Sequence, residues 1–296
     1  MSETAQITPR ALRNRSEQAA SAMPALIARA RHLAATLNLG VHGRRRSGQG
    51  EEFWQYRPAG NTDSLRDIDW RRSARGDAYF VRQTEWHSAQ AVHFWIDSGA
   101  SMRFSDGNPA TSKLQRAQVL ALAVAMLLSK AGERFAVLED AGPPKTGETQ
   151  IAHMAMSLSS AQALDEYQLP PPKPLKQGSR AVFLSDFLGD WDETITAVSK
   201  IADQDVQGVL CQVLDPYEVA FPYQGRTIFE SVKGGLSFES RRADALRLEY
   251  LDRLEQRTDA LKNLARATGW RYSQHQTDSS AQSGLLWLYS ALEWAA

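Results

Sequence analysis

The chain has a single cysteine, Cys211, which excludes an internal disulfide framework and a cysteine-based zinc site. It lies inside the apolar run VQGVLCQVL, where a buried strand thiol is the ordinary expectation. Long hydrophobic runs are missing as well. The longest, Ala117 to Leu128, falls short of the ~20 residues of a membrane span, so it reads as a core helix and no membrane insertion is predicted. The N-terminus lacks the apolar segment of a secretory signal, and a cytoplasmic protein is expected. Charge of one sign is not in excess either. Lys+Arg of 34 against Asp+Glu of 34 leaves no net field to draw the whole chain to nucleic acid or anionic lipid. None of the six histidines stands in an HExxH spacing, no GxSxG elbow occurs, and the glycines near Ser47 lack the GxxxxGKS or GxxxxGKT order of a phosphate loop.

What is present is a rhythm of apolar strands and amphipathic helices. Pro24 opens a helix to about Leu37, with Leu26, Ile27, Ala30, Leu33 and Leu37 on one face. AYFVRQTEW, AVHFWID, RFAVLED, RAVFLSD, VQGVLCQVLD and WRYSQHQ read as strands. Helices are predicted over 112–131, 151–158, 191–202, 241–267 and 285–294, and TIFES with LSFES reads as an inserted hairpin. Strands alternating with helices predict an α/β fold with a mostly parallel sheet covered on both faces. The expected organisation is a tail and helix over 1–40, an Arg/Asp/Trp-rich segment over 41–88, and an α/β domain over 89–296.

In such a sheet, ligands collect beyond the carboxyl ends of the strands. Asp97 ends VHFWID and Asp186 ends AVFLSD, so both enter one crevice if the two strands are neighbours. There they either hold a divalent cation or cap the helices that follow, by accepting backbone N–H bonds.

The Arg-rich segment admits three readings. Between residues 44 and 82, nine arginines are interleaved with six acids, a local excess of only three positive charges. Most can pair locally, which gives an internal network of ion pairs and aromatic rings around Arg66, Asp67, Asp69, Trp70 and Arg75. Trp and Arg are also the residues most enriched at interface hot spots, which makes the same segment a partner surface. Third, Arg44 to Arg46 with Trp54 nearby supply the contacts of a nucleic-acid-binding protein.

The pattern Gly50, Glu52, Phe53, Arg57, Gly60, Asp63, Arg66, Ile68, Asp69, Trp70, Ser73, Ala74 and Arg75 resembles the signature of the bacterial family catalogued as domain of unknown function 58. The strings VLDPYEVAFPYQG and HQTD extend the resemblance over roughly residues 40 to 295. It implies a von Willebrand A-like α/β fold and no assigned enzymatic activity. It also implies a cation site in the crevice, formed by an Asp-x-Ser-x-Ser turn, a Thr and a second Asp. The matching positions are Asp97, Ser101, Thr149 and Asp186, with Mg²⁺, Mn²⁺ or Ca²⁺ as the ion; Gly99 departs from the pattern and removes one hydroxyl ligand. The partners implied are a MoxR-type AAA ATPase and other von Willebrand A-domain proteins. The chain would be their adaptor or assembly factor, with Arg57, Arg66, Asp69, Trp70 and Arg75 on the partner-binding surface and a partner carboxylate completing the metal's coordination. Two alternatives stay open: a metal-dependent phosphoesterase or nuclease using the same carboxylates, and a nucleic-acid-binding protein.

Overall fold

Each long apolar strand segment carries hydrophobic side chains at odd and even positions alike, as strands covered on both faces must. The computed structural model shows the mainly parallel α/β fold that this pattern predicts. It describes residues 23–37, 47–48, 52–60, 64, 68–74, 76, 78–85, 90–105, 112–161, 165–231 and 237–293. The chain divides into two units, Gly40–Ala89 and a larger one made of Met1–Leu39 with Gln90–Ala295. The first helix, α1 (residues 23–35), buries Leu26, Ala30, Leu33 and Ala34 in the core of the larger unit. The spacing expected for one apolar face is what lets it dock there rather than stand apart as a tail.

The smaller unit contains β1 (Ser47–Gly48), β2 (Glu52–Pro58), a single turn of helix α2 (Trp70–Ser73) and β3 (Phe80–Glu85). Its strands form an antiparallel sheet in the order β1-β3-β2. The strand predicted in AYFVRQTEW thus pairs within this unit and not with the parallel sheet.

The larger unit continues with β4 (Ala91–Ile96), a 3-10 turn (Ala100–Arg103), α3 (Lys113–Lys130), β5 (Arg134–Val137) and α4 (Glu148–Ser160). Then come β6 (Arg180–Ser185), α5 (Trp191–Ala202), β7 (Gln207–Leu214), α6 (Pro216–Ala220), the hairpin β8 (Thr227–Glu230) and β9 (Ser237–Ser240), α7 (Ala243–Thr268), β10 (Arg271–Gln276) and α8 (Ala281–Glu293). The five-stranded sheet runs β5-β4-β6-β7-β10 with every neighbouring pair parallel. Side chains alternate between its faces. Phe94, Ile96, Leu184 and Val213 pack with α1, α3, α4 and α8, while Trp95, Phe183 and Leu210 pack with α5 and α7. Cys211 is buried on the first face, and burial pushes its thiol up to about 12, so it is an inert apolar residue. On the second face Trp270 lies against Gly208, where a Cβ would come within 2.5 Å of the indole ring.

The order of the strands places the site. The chain enters the sheet at β4, moves outward to β5, then crosses back to β6 on the other side before continuing to β7 and β10. The direction of winding therefore reverses between β4 and β6, the point at which open α/β sheets leave a crevice. Among the described residues no helix is long and apolar enough to cross a membrane.

Candidate functional site

Asp97 and Asp186 follow the last residues of β4 and β6, which are hydrogen-bonded neighbours, so the two acids share the crevice at the reversal point. Both are buried, at 1% and 0% exposure. Asp97 accepts bonds from the Ser185 hydroxyl (2.7 Å) and from the Gly99 backbone N–H (2.8 Å). Asp186 accepts one from the Leu188 N–H through Oδ1 (3.0 Å), and Gln212 Nε2 donates to its carbonyl (3.1 Å).

Asp186 and a third acid, Glu218, hold a cation that belongs to the protein. Lys113, the first residue of α3, is 0% exposed, and its Nζ donates to Asp186 Oδ2 at 2.8 Å and to Glu218 Oε1 at 2.6 Å. The ring of Phe104 lies 5.9 Å from the ammonium. A lysine at a helix N-terminus is opposed by the helix dipole and by burial, and only adjacent acids make the position favourable. Burial alone would push Lys113 toward the neutral amine, but Asp186 and Glu218 outweigh it and hold the pKa above the ordinary lysine value. Glu218 is fixed by a capping box at the start of α6. Asp215 accepts from the Tyr217 N–H, and Glu218 Oε2 accepts from the Asp215 N–H at 2.9 Å.

Asp97 stands beside this triad, and its carboxyl is pushed up to about 6, by burial first and then by the negative charge of Asp186. Its ordinary value is 3.8, so between that pH and about 6 the native state binds the extra proton and stability falls as pH rises. Asp97→Asn removes that decline. Its stability relative to the parent is expected to improve by roughly 3 kcal/mol between pH 4 and pH 7, from about 1.4 kcal/mol per pKa unit, as read by urea denaturation at each pH.

A groove of about 520 Å³ opens beside Asp97. Its walls are apolar where Trp95, Leu169, Pro170, Pro171 and Phe187 line it, and acidic at Asp97, Glu139, Asp165, Asp190 and Glu193. No Lys, Arg or His is among its lining residues.

Of the four expected metal ligands, Thr149 lies apart from the other three. Asp97 and Asp186 meet as the strand ends predicted. Ser101 lies in the turn after Asp97, buried, with its hydroxyl unbonded among the described residues. Thr149 is exposed in the first turn of α4. There the Gly147 N–H donates to Ser129 Oγ and Gln150 Nε2 donates to the carbonyl of Phe135. These contacts put Thr149 at the end of α3 opposite Lys113, an 18-residue helix and so about 27 Å away along its axis. At Gly99 a side chain has no room: a Cβ would stand 2.6 Å from the Glu166 carbonyl oxygen and 2.9 Å from Asp97 Oδ1. The Ala100 and Ser101 N–H groups donate to the Asp165 and Glu166 carbonyls, which holds that segment against the turn. The described residues contain no group of three His, Cys, Asp or Glu arranged to hold a metal ion.

Of the residues expected on a partner surface, Asp69 is engaged within its own unit. It caps α2 by accepting from the Arg72 N–H (2.9 Å) and accepts from the Tyr56 hydroxyl (3.1 Å). Trp70 is 56% exposed and meets Tyr79 edge to face. Arg57 lies in β2, while Arg66, Arg75 and the Arg44–Arg46 run fall outside the described side chains.

Lys113 and Glu218 were not singled out by sequence reading. The signals were present: a lysine directly after the N-cap Ser112 of a core helix, and the capping-box string DPYE. Neither string says that the two residues meet.

No curated protein matches the chain. Among solved structures, the conserved hypothetical protein BatB from Bacteroides thetaiotaomicron aligns with 15% identity and a TM-score of 0.42, covering 69% of this chain and 97% of that one. An aerotolerance-related membrane protein from Bacteroides fragilis aligns with 14% identity and a TM-score of 0.42, covering 69% and 98%. Likeness this distant has no bearing on function. The description "Protein of unknown function DUF58" matches residues 54–260, most of both units, and the chain belongs to that family.

Proposed function

We propose that the chain is a non-enzymatic protein-interaction module, an adaptor or assembly factor for a MoxR-type AAA ATPase and other von Willebrand A-domain proteins. The observation that carries this reading is the groove at the β4/β6 reversal, where five carboxylates and a wall of Trp, Phe, Leu and Pro side chains stand together. That combination suits a partner segment presenting Lys or Arg next to apolar residues, with the charges setting specificity and association rate. The partner class comes from the family resemblance.

The phosphoesterase and nuclease alternatives meet a charge problem. A phosphodiester approaching Asp97 would pass Asp165 and Glu193, and no Lys, Arg or His is among the lining residues. The test is calorimetric titration of the purified MoxR-type ATPase from the same bacterium. Glu193, exposed in the first turn of α5, can be reversed in charge without touching the core. Glu193→Arg is expected to weaken binding about tenfold or more, roughly 1.4 kcal/mol. Unchanged affinity in that variant, or no binding by the parent at tens of micromolar, would rule the reading out. So would hydrolysis of a model phosphodiester that disappears in Asp97→Asn.

A further inference from the structure

We infer that the Lys113 ammonium is the resident cation of the crevice, standing in place of a divalent ion, so the site is built to work without metal. Three independent features lead to this. Both carboxylates able to serve as ligands from β6 and α6, Asp186 and Glu218, direct an oxygen at Nζ, at 2.8 and 2.6 Å. A metal ion bound to those oxygens would share their cage with a second positive charge that is itself completely buried. The position of the absent hydroxyl at residue 99 is closed by the main chain of Glu166, which leaves no space for a ligand there. Finally, each oxygen of Asp97 already accepts a bond from inside the protein.

The ammonium also differs from a metal in what it offers a partner. A divalent ion in such a crevice keeps open positions that water or an incoming carboxylate can take. Lys113 has two of its three protons on Asp186 and Glu218 and no surface in contact with solvent. No partner carboxylate reaches it. Its role is to position the carboxyl ends of β6 and β7 relative to α3, and recognition is left to the groups around it. This inference does not depend on the identity of the partner proposed above.

The test uses terbium as the probe, with the groove tryptophan Trp95 as the antenna for sensitised emission. The parent is expected to show no saturable emission that depends on Asp186. Lys113→Ala, which empties the cage but keeps its carboxylates, is expected to bind terbium and Mn²⁺ saturably, at least about 100-fold more tightly than any residual binding by the parent. Asp186→Asn in that background should abolish the gain. Asp186-dependent binding of Mn²⁺ or terbium by the parent would overturn the inference, as would a folded Lys113→Ala protein that gains nothing. If Lys113→Ala does not fold, reductive methylation of the parent decides. Lys113 should stay unmodified in Mg²⁺ and in EDTA while the exposed Lys130, Lys176 and Lys200 react. Methylation of Lys113, or protection that changes with Mg²⁺, would overturn it.

Discussion

Replacing Lys113 by Met is expected to lower the stability of the chain by about 3–5 kcal/mol at neutral pH, the usual cost of stripping one partner from a buried ion pair. Met fills much of the volume of the lysine stem, so the loss comes from leaving Asp186 and Glu218 facing each other in the interior without a counterion. The deficit should narrow toward acid pH, where Glu218, whose carboxyl burial pushes up, takes up a proton. A variant that also carries Asp186→Asn and Glu218→Gln should recover most of the loss, because removing every charge together leaves none uncompensated. Urea denaturation followed by tryptophan fluorescence reads all three proteins. A loss below about 1 kcal/mol for Lys113→Met would mean that the ion pair contributes as little as an exposed one does.

Trp270→Ala should cost about as much, 3–5 kcal/mol, for an unrelated reason: it leaves a cavity on the α5/α7 face of the sheet. The indole is 5% exposed, meets Phe183 edge to face at 5.1 Å, and donates Nε1–H to the Val206 carbonyl at 2.8 Å. Gly208 supplies the floor on which the ring lies. That contact gives the prediction a specific check. Gly208→Ala is expected to be strongly destabilising in the parent, where its methyl meets the ring, and much less so in Trp270→Ala, where the space has been vacated. Additive effects at the two positions would show that the indole does not rest on Gly208.

Much of this architecture was legible in the residues because local periodicity is enough to specify it. Residues with two buried faces, as in AVFLS and VLCQVL, must be strands inside a parallel sheet, and they are β6 and β7. Ser112 announced the start of α3, where it accepts from the Gln115 N–H. Asp97 and Asp186 were legible as strand-end acids, since a polar residue closing an apolar strand has little choice but to face the loops. The polar face of the smaller unit was harder to read. Its interleaved arginines and acids allowed several pairings, and Asp69 resolved into a helix cap that also accepts from Tyr56.

Thr149 shows where reading a motif by its order along the chain breaks down. A threonine entering a helix after a glycine is a plausible ligand by sequence, yet α4 begins beside the end of α3 that is remote from the crevice. Lys113 and Glu218 show the converse, since each looked ordinary where it stood. The sequence by itself determined the elements, the faces they bury and the two acids at the strand ends, because each of these depends on neighbours within a few residues. That Asp186 pairs with Lys113 was decided only by the tertiary structure. Lys113 is 73 residues from Asp186 and 105 from Glu218 along the chain, and they meet because β6 lies next to β4 while α3 packs across one face of the sheet. That juxtaposition follows from the order of the strands, which no local pattern encodes.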